Sequence, residues 1–377
     1  MASLLEEGHQ FRDIELESMA KMMACGTSAM GYKRYCCSNK SCTHSKVISF
    51  SCKSRFCNSC GQKATEQWIT KQGEILPDCQ YRHLTFTMPD VFWDVFKLNR
   101  QLLNSLFSIA ANTLLHFAKK KKLTIGLFVA LHTYGRQLNF NCHIHLSLAE
   151  FALNQYGDLK KFNFPFKELM AMWRYGVIDL LRQKFDSLIL PEHLSDKISD
   201  YQDWTRYLDG QYNRFWQVDI AKKTSHKKHT QNYLGSYLKK PPIAASRLKE
   251  FHHEDITIEY HDHRDNRKKA LTLTQKELLL RLLSHIPEKF FKMIRYFGYL
   301  SNRRRGELLP KVHKQLGQEV PDLIPLTYAA MMKSMLKVDP FKCILCGGRM
   351  VFNHFEAGMK LRVLVLNLKN LVLQKPI

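Results

Sequence analysis

The stretch Asn141-Cys142-His143-Ile144-His145-Leu146-Ser147-Leu148 concentrates reactive side chains at a telling spacing. On an extended strand side chains alternate, so His143, His145 and Ser147 share one face while Ile144, Leu146 and Leu148 take the other. Two imidazoles on alternate residues form a platform for a divalent ion. Taken alone, the pair also fits a solvated polar face. Further along stands Tyr233-Leu-Gly-Ser-Tyr237, whose two hydroxyls share a face on either a helix or a strand. Tyrosine is a poor nucleophile at neutral pH, but a cation that polarises a phosphodiester oxygen lowers the barrier to its attack. The product would be a covalent phosphotyrosine that keeps the bond energy for rejoining. Two such tyrosines would permit two successive linkages without release of the strand. Both could equally be core aromatics.

The cysteines point to a second kind of chemistry. Seven of the eleven fall between Cys25 and Cys60: Cys25, Cys36, Cys37, Cys42, Cys52, Cys57 and Cys60. Cys57-Asn-Ser-Cys60-Gly61 is a knuckle that sets two thiolates on one tight turn, and Cys37 with Cys42 forms a second pair. The spacing predicts one tetrahedral structural zinc on Cys37, Cys42, Cys57 and Cys60. Cys36, Cys52 or His44 could replace a member, and Cys25 could serve a second ion. A set of small buried thiols is the plainer alternative. Another knuckle, Cys343-Ile-Leu-Cys346-Gly347-Gly348, has only His354 following closely; it either borrows ligands from elsewhere or is a half-site without metal.

These residues need elements to position them. Thr65–Gly73 reads as a short helix, Tyr81–Met88 as a strand, Val91–Lys122 as a helix ending in a cationic turn, and Leu123–His132 as a buried strand. Asn141–Ala149 is the strand that carries the histidines. Phe166–Phe185 is helical, Phe215–Ile220 a strand, Gln231–Lys239 a helix stopped by Pro241-Pro242, Ile256–Tyr260 a strand and Thr274–Ser284 a helix. This order predicts an α+β domain on an antiparallel sheet from about Tyr81 to Glu250. Leu361–Ile377 alternates Leu and Val with scattered Lys, as in a terminal strand or a divergent end.

Charge narrows the partner. The 377 residues carry 57 Lys+Arg against 34 Asp+Glu, a net +23, yet 45% are hydrophobic, which excludes a disordered basic tail. A folded chain with that excess meets a polyanion, nucleic acid before membrane. No run approaches the roughly 18 apolar residues a membrane span needs. Glu6 and Glu7 stand where a signal peptide would be basic, so a cytoplasmic location with reduced thiols is expected. Lys119–Lys122, Lys222–Lys228, Arg264–Lys269 and Arg303–Arg305 are the densest cationic patches, together suggesting a phosphate channel. Phe215, Trp216, Tyr296 and Tyr299 are candidates for stacking on bases. No phosphate-binding Gly-x-x-x-x-Gly-Lys-Ser/Thr loop occurs, so no built-in motor is indicated.

The chain resembles the IS-ninety-one type insertion-sequence transposases. The resemblance rests on Ser51-Cys-Lys-Ser-Arg-Phe-Cys-Asn-Ser-Cys60, Leu76-Pro77, His83-Leu-Thr-Phe-Thr-Met-Pro89, His132-Thr-Tyr-Gly-Arg136 and His143-Ile-His145. It continues through Tyr233-Leu-Gly-Ser-Tyr-Leu-Lys-Lys-Pro-Pro-Ile-Ala-Ala-Ser-Arg247, His285-Ile-Pro287 and Arg295-Tyr-Phe-Gly298. It implies a zinc-binding N-terminal domain and an HUH nuclease domain, where U is a hydrophobic residue: an HUH-type antiparallel sheet flanked by helices. His143 and His145 would bind a catalytic divalent cation, Mg²⁺ or Mn²⁺. His132 is a candidate third ligand, and Tyr233 and Tyr237 would be the catalytic tyrosines. Such enzymes nick one DNA strand, form a 5′-phosphotyrosine and free a 3′-OH that primes replication. The implied partners are single-stranded or hairpin DNA ends of the element and the host replication machinery. The expected division is 1–78 zinc-binding DNA-recognition module, 79–250 nuclease domain, 251–340 mostly helical basic region, and 341–377 second knuckle and unmatched tail.

Other chemistries compete for the same residues. His261-Asp-His-Arg264 with Tyr296 and Tyr299 would suit a metal-free tyrosine recombinase but leaves His143 and His145 unexplained. His83-Leu-Thr85 with His145-Leu-Ser147 would suit a metal-free phosphoesterase. A non-enzymatic zinc-dependent DNA-binding relic would need the cysteine module alone.

Overall fold

In the computed structural model the described residues are 4, 7–54, 56–221, 241–252, 254–262, 265–319 and 327–373. Tyr233, Tyr237, the expected helix Gln231–Lys239 and the Lys222–Lys228 patch lie outside them.

The strands are β1 (Gly31–Cys37), β2 (Ser45–Ser49), β3 (Tyr81–Thr87), β4 (Thr124–Tyr134), β5 (Phe140–Leu153), β6 (Leu159–Lys161), β7 (Gln217–Ile220), β8 (Leu248–His252), β9 (Asp255–Asp262), β10 (Arg267–Thr274), β11 (Ile294–Gly298) and β12 (Met350–Ala357). They form three antiparallel sheets. The central one runs β11-β4-β5-β3-β7 with β6 added along β5, and two smaller ones run β10-β9-β8 and β12-β1-β2. The α+β class and the antiparallel sheet flanked by helices are as the sequence predicts.

Alternation on the central strands builds two cores. Leu84 and Phe86 of β3, Leu127, Val129 and Leu131 of β4, and Ile144, Leu146 and Leu148 of β5 face one way. They pack against Leu106, Phe107, Ala110 and Leu114 of helix Leu103–Lys120 and Trp173, Val177 and Ile178 of helix Phe166–Gln183. On the opposite face Tyr81, Phe128, Ala130 and Ala149 meet Trp68 and Ile75 of helix Asn58–Ile75, with Leu308, Leu309 and Val312 of helix Arg305–Gln315. That second layer covers only one end of the sheet. At the other end the same face carries the histidines. A bulge between Ile125 and Leu127 brings Gly126 against Tyr299, and a Cβ there would meet the ring at 2.1 Å, so only glycine fits.

Three expectations need correction. Val91–Lys122 is not one helix: it breaks at Asn99, whose buried side chain donates to the carbonyls of Val95 and Ile189 (both 2.8 Å) and accepts from Ile189 N–H (2.9 Å). These bonds compete with the helical ladder, as asparagine side chains do. The 251–340 region is not mostly helical, since β9, β10 and β11 lie in it. Ile256, Ile258 and Leu273 alternate over Leu138, Ile243 and Leu278 as a small core of their own, while β11 covers the edge of β4. The tail is not a terminal strand: helix Leu361–Leu373 places Leu364 among Met19 and Ala20 of helix Asp13–Met23 and Leu283 and Ile286. β12 pairs with β1 over Gly31–Cys37, so residues expected as a separate C-terminal segment complete the N-terminal sheet.

Candidate active site

The β4–β5 hairpin assembles the site by register. His132 stands opposite His143, and Ala130 opposite His145. With side chains alternating, all three imidazoles emerge on the face left open by the second core, and their ligand nitrogens lie within 4.8 Å of one another. The turn is pinned from below by His285, the histidine of the His285-Ile-Pro287 motif. Its Nε2 lies 3.0 Å from the Leu138 carbonyl and its Nδ1 3.3 Å from Thr133 Oγ1, and its ring packs against Tyr134 and Phe140.

Neighbouring groups orient the ligands. His143 Nδ1 lies 2.8 Å from the Asn141 carbonyl, which only an N–H can satisfy, so Nε2 keeps its lone pair. His145 Nδ1 lies 3.3 Å from Thr85 Oγ1 on β3, and the next cross-strand pair, His83 Nδ1 and Ser147 Oγ, is 2.8 Å apart. Burial keeps these imidazoles neutral. It lowers the pKa of His143, brings His83 to about 4, and brings His145 to about 3 with further help from His143 and His83. His143 and His145, neutral imidazoles whose Nδ1 atoms are partnered, suit a cation. Ser147 and His83 bond one another inside the sheet, so the paired His-x-Thr/Ser motifs do not present their hydroxyls as a metal-free phosphoesterase would.

The histidines open on a cleft of about 750 Å³. Arg136, Arg247, Tyr260 and Asp262 also line it, as do Pro241 and Pro242. Arg247 Nε and Nη2 each donate at 2.8 Å, to the carbonyls of Glu259 and Arg136, and Arg136 bonds the His261 carbonyl. Two guanidiniums are thus fixed on one wall. Burial, then repulsion from Arg136, lowers the pKa of Arg247. Sequence reasoning gave neither arginine a role, though both sit in the motifs that carry the resemblance.

Two of the cationic patches fall at the opposite end of β4 from the histidines. Lys119–Lys122 is exposed just before β4, whose first residue, Thr124, stands eight residues from His132, or roughly 26 Å along the strand. Arg303–Arg305 follows β11 at that same end, where Gly298 pairs with Gly126. Lys269 is held by Asp262 (2.7 Å) and Asp265 (2.8 Å). Among the stacking candidates only Phe215 is exposed. Trp216 is buried, Tyr299 donates to the Phe151 carbonyl at 3.1 Å within the second core, and Tyr296 donates to Gln72 at 2.9 Å. Neither tyrosine lines the cleft, so the recombinase assignment has no nucleophile there.

The cysteines expected as one zinc set are divided. Cys57 and Cys60 converge with Cys25 and Cys52, whereas Cys37 and Cys42 converge with Cys343 and Cys346. In the first group the sulfurs of Cys25 and Cys52 each lie 3.5 Å from Cys60, and Cys57 is 3.8 Å from Cys25. These match the ~3.8 Å edge of a tetrahedron with Zn–S bonds of ~2.3 Å. The amides of Cys52 and Ser54 donate to the sulfurs of Cys25 and Cys52. Burial opposes ionisation of Cys60, but hydrogen bonds from Ser51, Cys25 and Cys52 prevail and hold its pKa at about 7. Helix Asn58–Ile75 starts directly after Cys57, and its N-terminal dipole favours thiolates there. The same helix runs on to the second core, tying the cysteine module to the sheet.

Residues 1–88 match the family profile described as "Transposase zinc-binding domain", and residues 126–307 match one described as "Putative transposase". A zinc module joined by one helix to a sheet bearing a histidine cluster is therefore the architecture of a transposase, with structural zinc and DNA as its partner. The transposase for insertion sequence element IS801 of Pseudomonas savastanoi pv. phaseolicola is 46% identical over 369 residues, 97% of this chain and 90% of that relative. "Putative transposase y4qJ" of Sinorhizobium fredii is 27% identical over 315 residues, 80% of this chain and 78% of its own. The chain belongs to the IS801/IS91-type transposases. No solved structure matches it. Among the described residues no helix is long and apolar enough to cross a membrane.

Proposed function

We propose that this transposase nicks and rejoins single-stranded DNA at the ends of its own element through a 5′-phosphotyrosine intermediate, driving rolling-circle-like transposition. The observation that carries this reading is the convergence of His132, His143 and His145 at a cleft that Arg136 and Arg247 also line. His143 and His145, with His132 as the third ligand, would hold a divalent cation. When bound, such an ion polarises a phosphate oxygen and offsets the charge that builds up during displacement. The all-imidazole donor set favours Mn²⁺ over Mg²⁺, which prefers oxygen ligands.

The chain's own groups do the rest. Arg136 and Arg247 neutralise and orient the backbone around the scissile phosphate. The hydroxyl of Tyr233 or Tyr237 attacks phosphorus, the bond to the 3′ oxygen breaks, and the 5′ phosphate passes to the tyrosine. The phenolic proton leaves to solvent, and the departing 3′ oxygen gains a proton to become a free 3′-OH. Attack on the phosphotyrosine by another 3′-OH reverses the step and rejoins the strand. Support for the tyrosine assignment comes from the flanks of that segment. Ala221 N–H donates to the His83 carbonyl at 2.9 Å, and Pro241 and Pro242 line the cleft. The free 3′-OH would prime synthesis by the host replication machinery in the cytoplasm.

The test is cleavage of end-labelled single-stranded or hairpin DNA carrying the element's own ends, with Mn²⁺, Mg²⁺ or chelator, resolved on a denaturing gel. A cation-dependent protein adduct on the 5′ end of the downstream fragment is expected. A metal-independent adduct on the 3′ side, or binding with no adduct, overturns the proposal, the latter in favour of a DNA-binding relic.

A further inference from the structure

We propose that Cys37, Cys42, Cys343 and Cys346 hold a second zinc ion, which joins the N-terminal module to the distal knuckle. The four sulfurs lie within 4.8 Å of one another. Cys37 is 3.4 Å from Cys346 and Cys42 is 3.8 Å from Cys343, near the ~3.8 Å edge of a zinc tetrathiolate. The distal knuckle lies outside the 1–88 zinc-domain match, and the inference is independent of the nuclease chemistry.

Both halves of the set are built turns. Cys37 N–H donates to the His44 carbonyl (3.0 Å) and Cys42 N–H to the Asn39 carbonyl (2.9 Å), which folds the β1–β2 connection back on itself. Cys343 N–H donates to the Gly348 carbonyl (2.7 Å) and Gly347 N–H to the Cys343 carbonyl (3.0 Å). Gly347 adopts φ +73°, the left-handed region that glycine enters without steric cost. At Gly348 a Cβ would stand 3.3 Å from the sulfurs of both Cys346 and Cys37, so the missing side chain lets the two turns close. His44 is not itself a member: its Nδ1 lies 3.1 Å from Cys343 Sγ, where a ring N–H would donate to a thiolate and support the ligand.

Backbone pairing delivers the thiols together. β1 pairs with β12 so that Cys37 stands opposite Met350, directly beyond the knuckle, and Ser38 N–H donates to the Arg349 carbonyl at 2.8 Å. Cys36, adjacent in sequence, stands opposite Ser45 and Val351 and does not join the cluster. Four thiols gathered without disulfides, one of them on the exposed Cys346, are the donor set of a closed structural zinc site.

The experiment uses the full-length protein. In zinc-loaded protein treated with iodoacetamide and mapped by mass spectrometry, Cys343 and Cys346 should alkylate at least about tenfold more slowly than after chelation. Equal rates with and without chelator overturn the site. Cobalt substitution counts thiolate-bound metal separately from any ion on the histidines. The sulfur-to-metal charge-transfer band should fall by about half in Cys343→Ser/Cys346→Ser, and by the same share in Cys25→Ser/Cys52→Ser. A band unchanged by Cys343→Ser/Cys346→Ser overturns the proposal. The alkylation result decides alone where a variant does not fold.

Discussion

His132 faces His143 directly across the β4–β5 ladder, and its ring centroid lies 4.5 Å from that of His145 on the same strand as His143. A single antiparallel register therefore converts a two-histidine motif into a three-imidazole cluster. The third member comes from a strand whose sequence carries no paired-histidine signal. Thr85 extends the arrangement to β3 through its hydroxyl on His145. Thr85→Val keeps the shape of the side chain and removes that oxygen. Losing an outer partner of a ligand histidine should weaken Mn²⁺ binding by roughly 10–100-fold, as read by calorimetric titration. His143→Ala should abolish cation-dependent cleavage while the circular dichroism spectrum stays unchanged. Undiminished cleavage by His143→Ala would refute the metal role.

Tyr233→Phe combined with Tyr237→Phe should eliminate the covalent DNA adduct and leave noncovalent binding within about twofold, since a phenol hydroxyl contributes little to backbone affinity. Gel shift and denaturing electrophoresis on the same samples separate the two effects. An adduct that survives in the double variant rules out both tyrosines.

Acid should destabilise the protein through its buried imidazoles. When unfolded, His83 takes up a proton as pH falls below 6.5, whereas burial holds the folded group neutral down to about 4. The unfolded state then binds more protons, so this stability is complete above pH 6.5 and is lost between 6.5 and about 4. His83 alone should cost about 2–3 kcal/mol between about pH 7.5 and about pH 4.5. Urea unfolding of wild type and His83→Asn at both pH values checks this, with the variant showing the shallower loss. Equal losses in the two proteins would exclude His83 as the source.

The two arginines of the cleft and the lysines of the far end should behave differently. Arg247→Ala should weaken single-stranded DNA binding and lower the slope of log affinity against log salt by about 0.7, the share of one phosphate contact. Replacing Lys119, Lys120 and Lys122 with Gln should alter cleavage of a short end oligonucleotide by less than about twofold, given their separation from the histidines along β4. Filter binding across a salt series and the cleavage gel provide both readings. A larger effect from the lysines would mean that the strand runs along the whole sheet.

Local pattern exposed much of this design. Alternation in Asn141–Ala149 places His143 and His145 on one face because the period of a strand is fixed by backbone geometry, and the strands β3 and β4 are legible for the same reason. Partners distant in sequence are not legible. The spacing of Cys37, Cys42, Cys57 and Cys60 satisfies one zinc site as well as it satisfies halves of two, and nothing near Cys37 announces Cys346, 309 residues away. Asn99 interrupts an otherwise sound helical pattern because its amide finds Ile189, a contact made only after folding. Residues 267–274 are rich in Lys and Thr, and their strand character comes from pairing with β9 along the full length of β10.

The pairing of β1 with β12 also bears on how the protein is made. β1 is the middle strand of its sheet, with β2 on one side and β12 on the other. A ribosome delivers β1 and β2 early, but β12 emerges only after the histidine-bearing sheet and the helices around it. Until then the nascent chain carries a half-built sheet with one open edge. The N-terminal module reaches its final form only when translation has passed residue 357, so a prematurely released polypeptide could possess the histidine cluster yet never close the module at its own beginning.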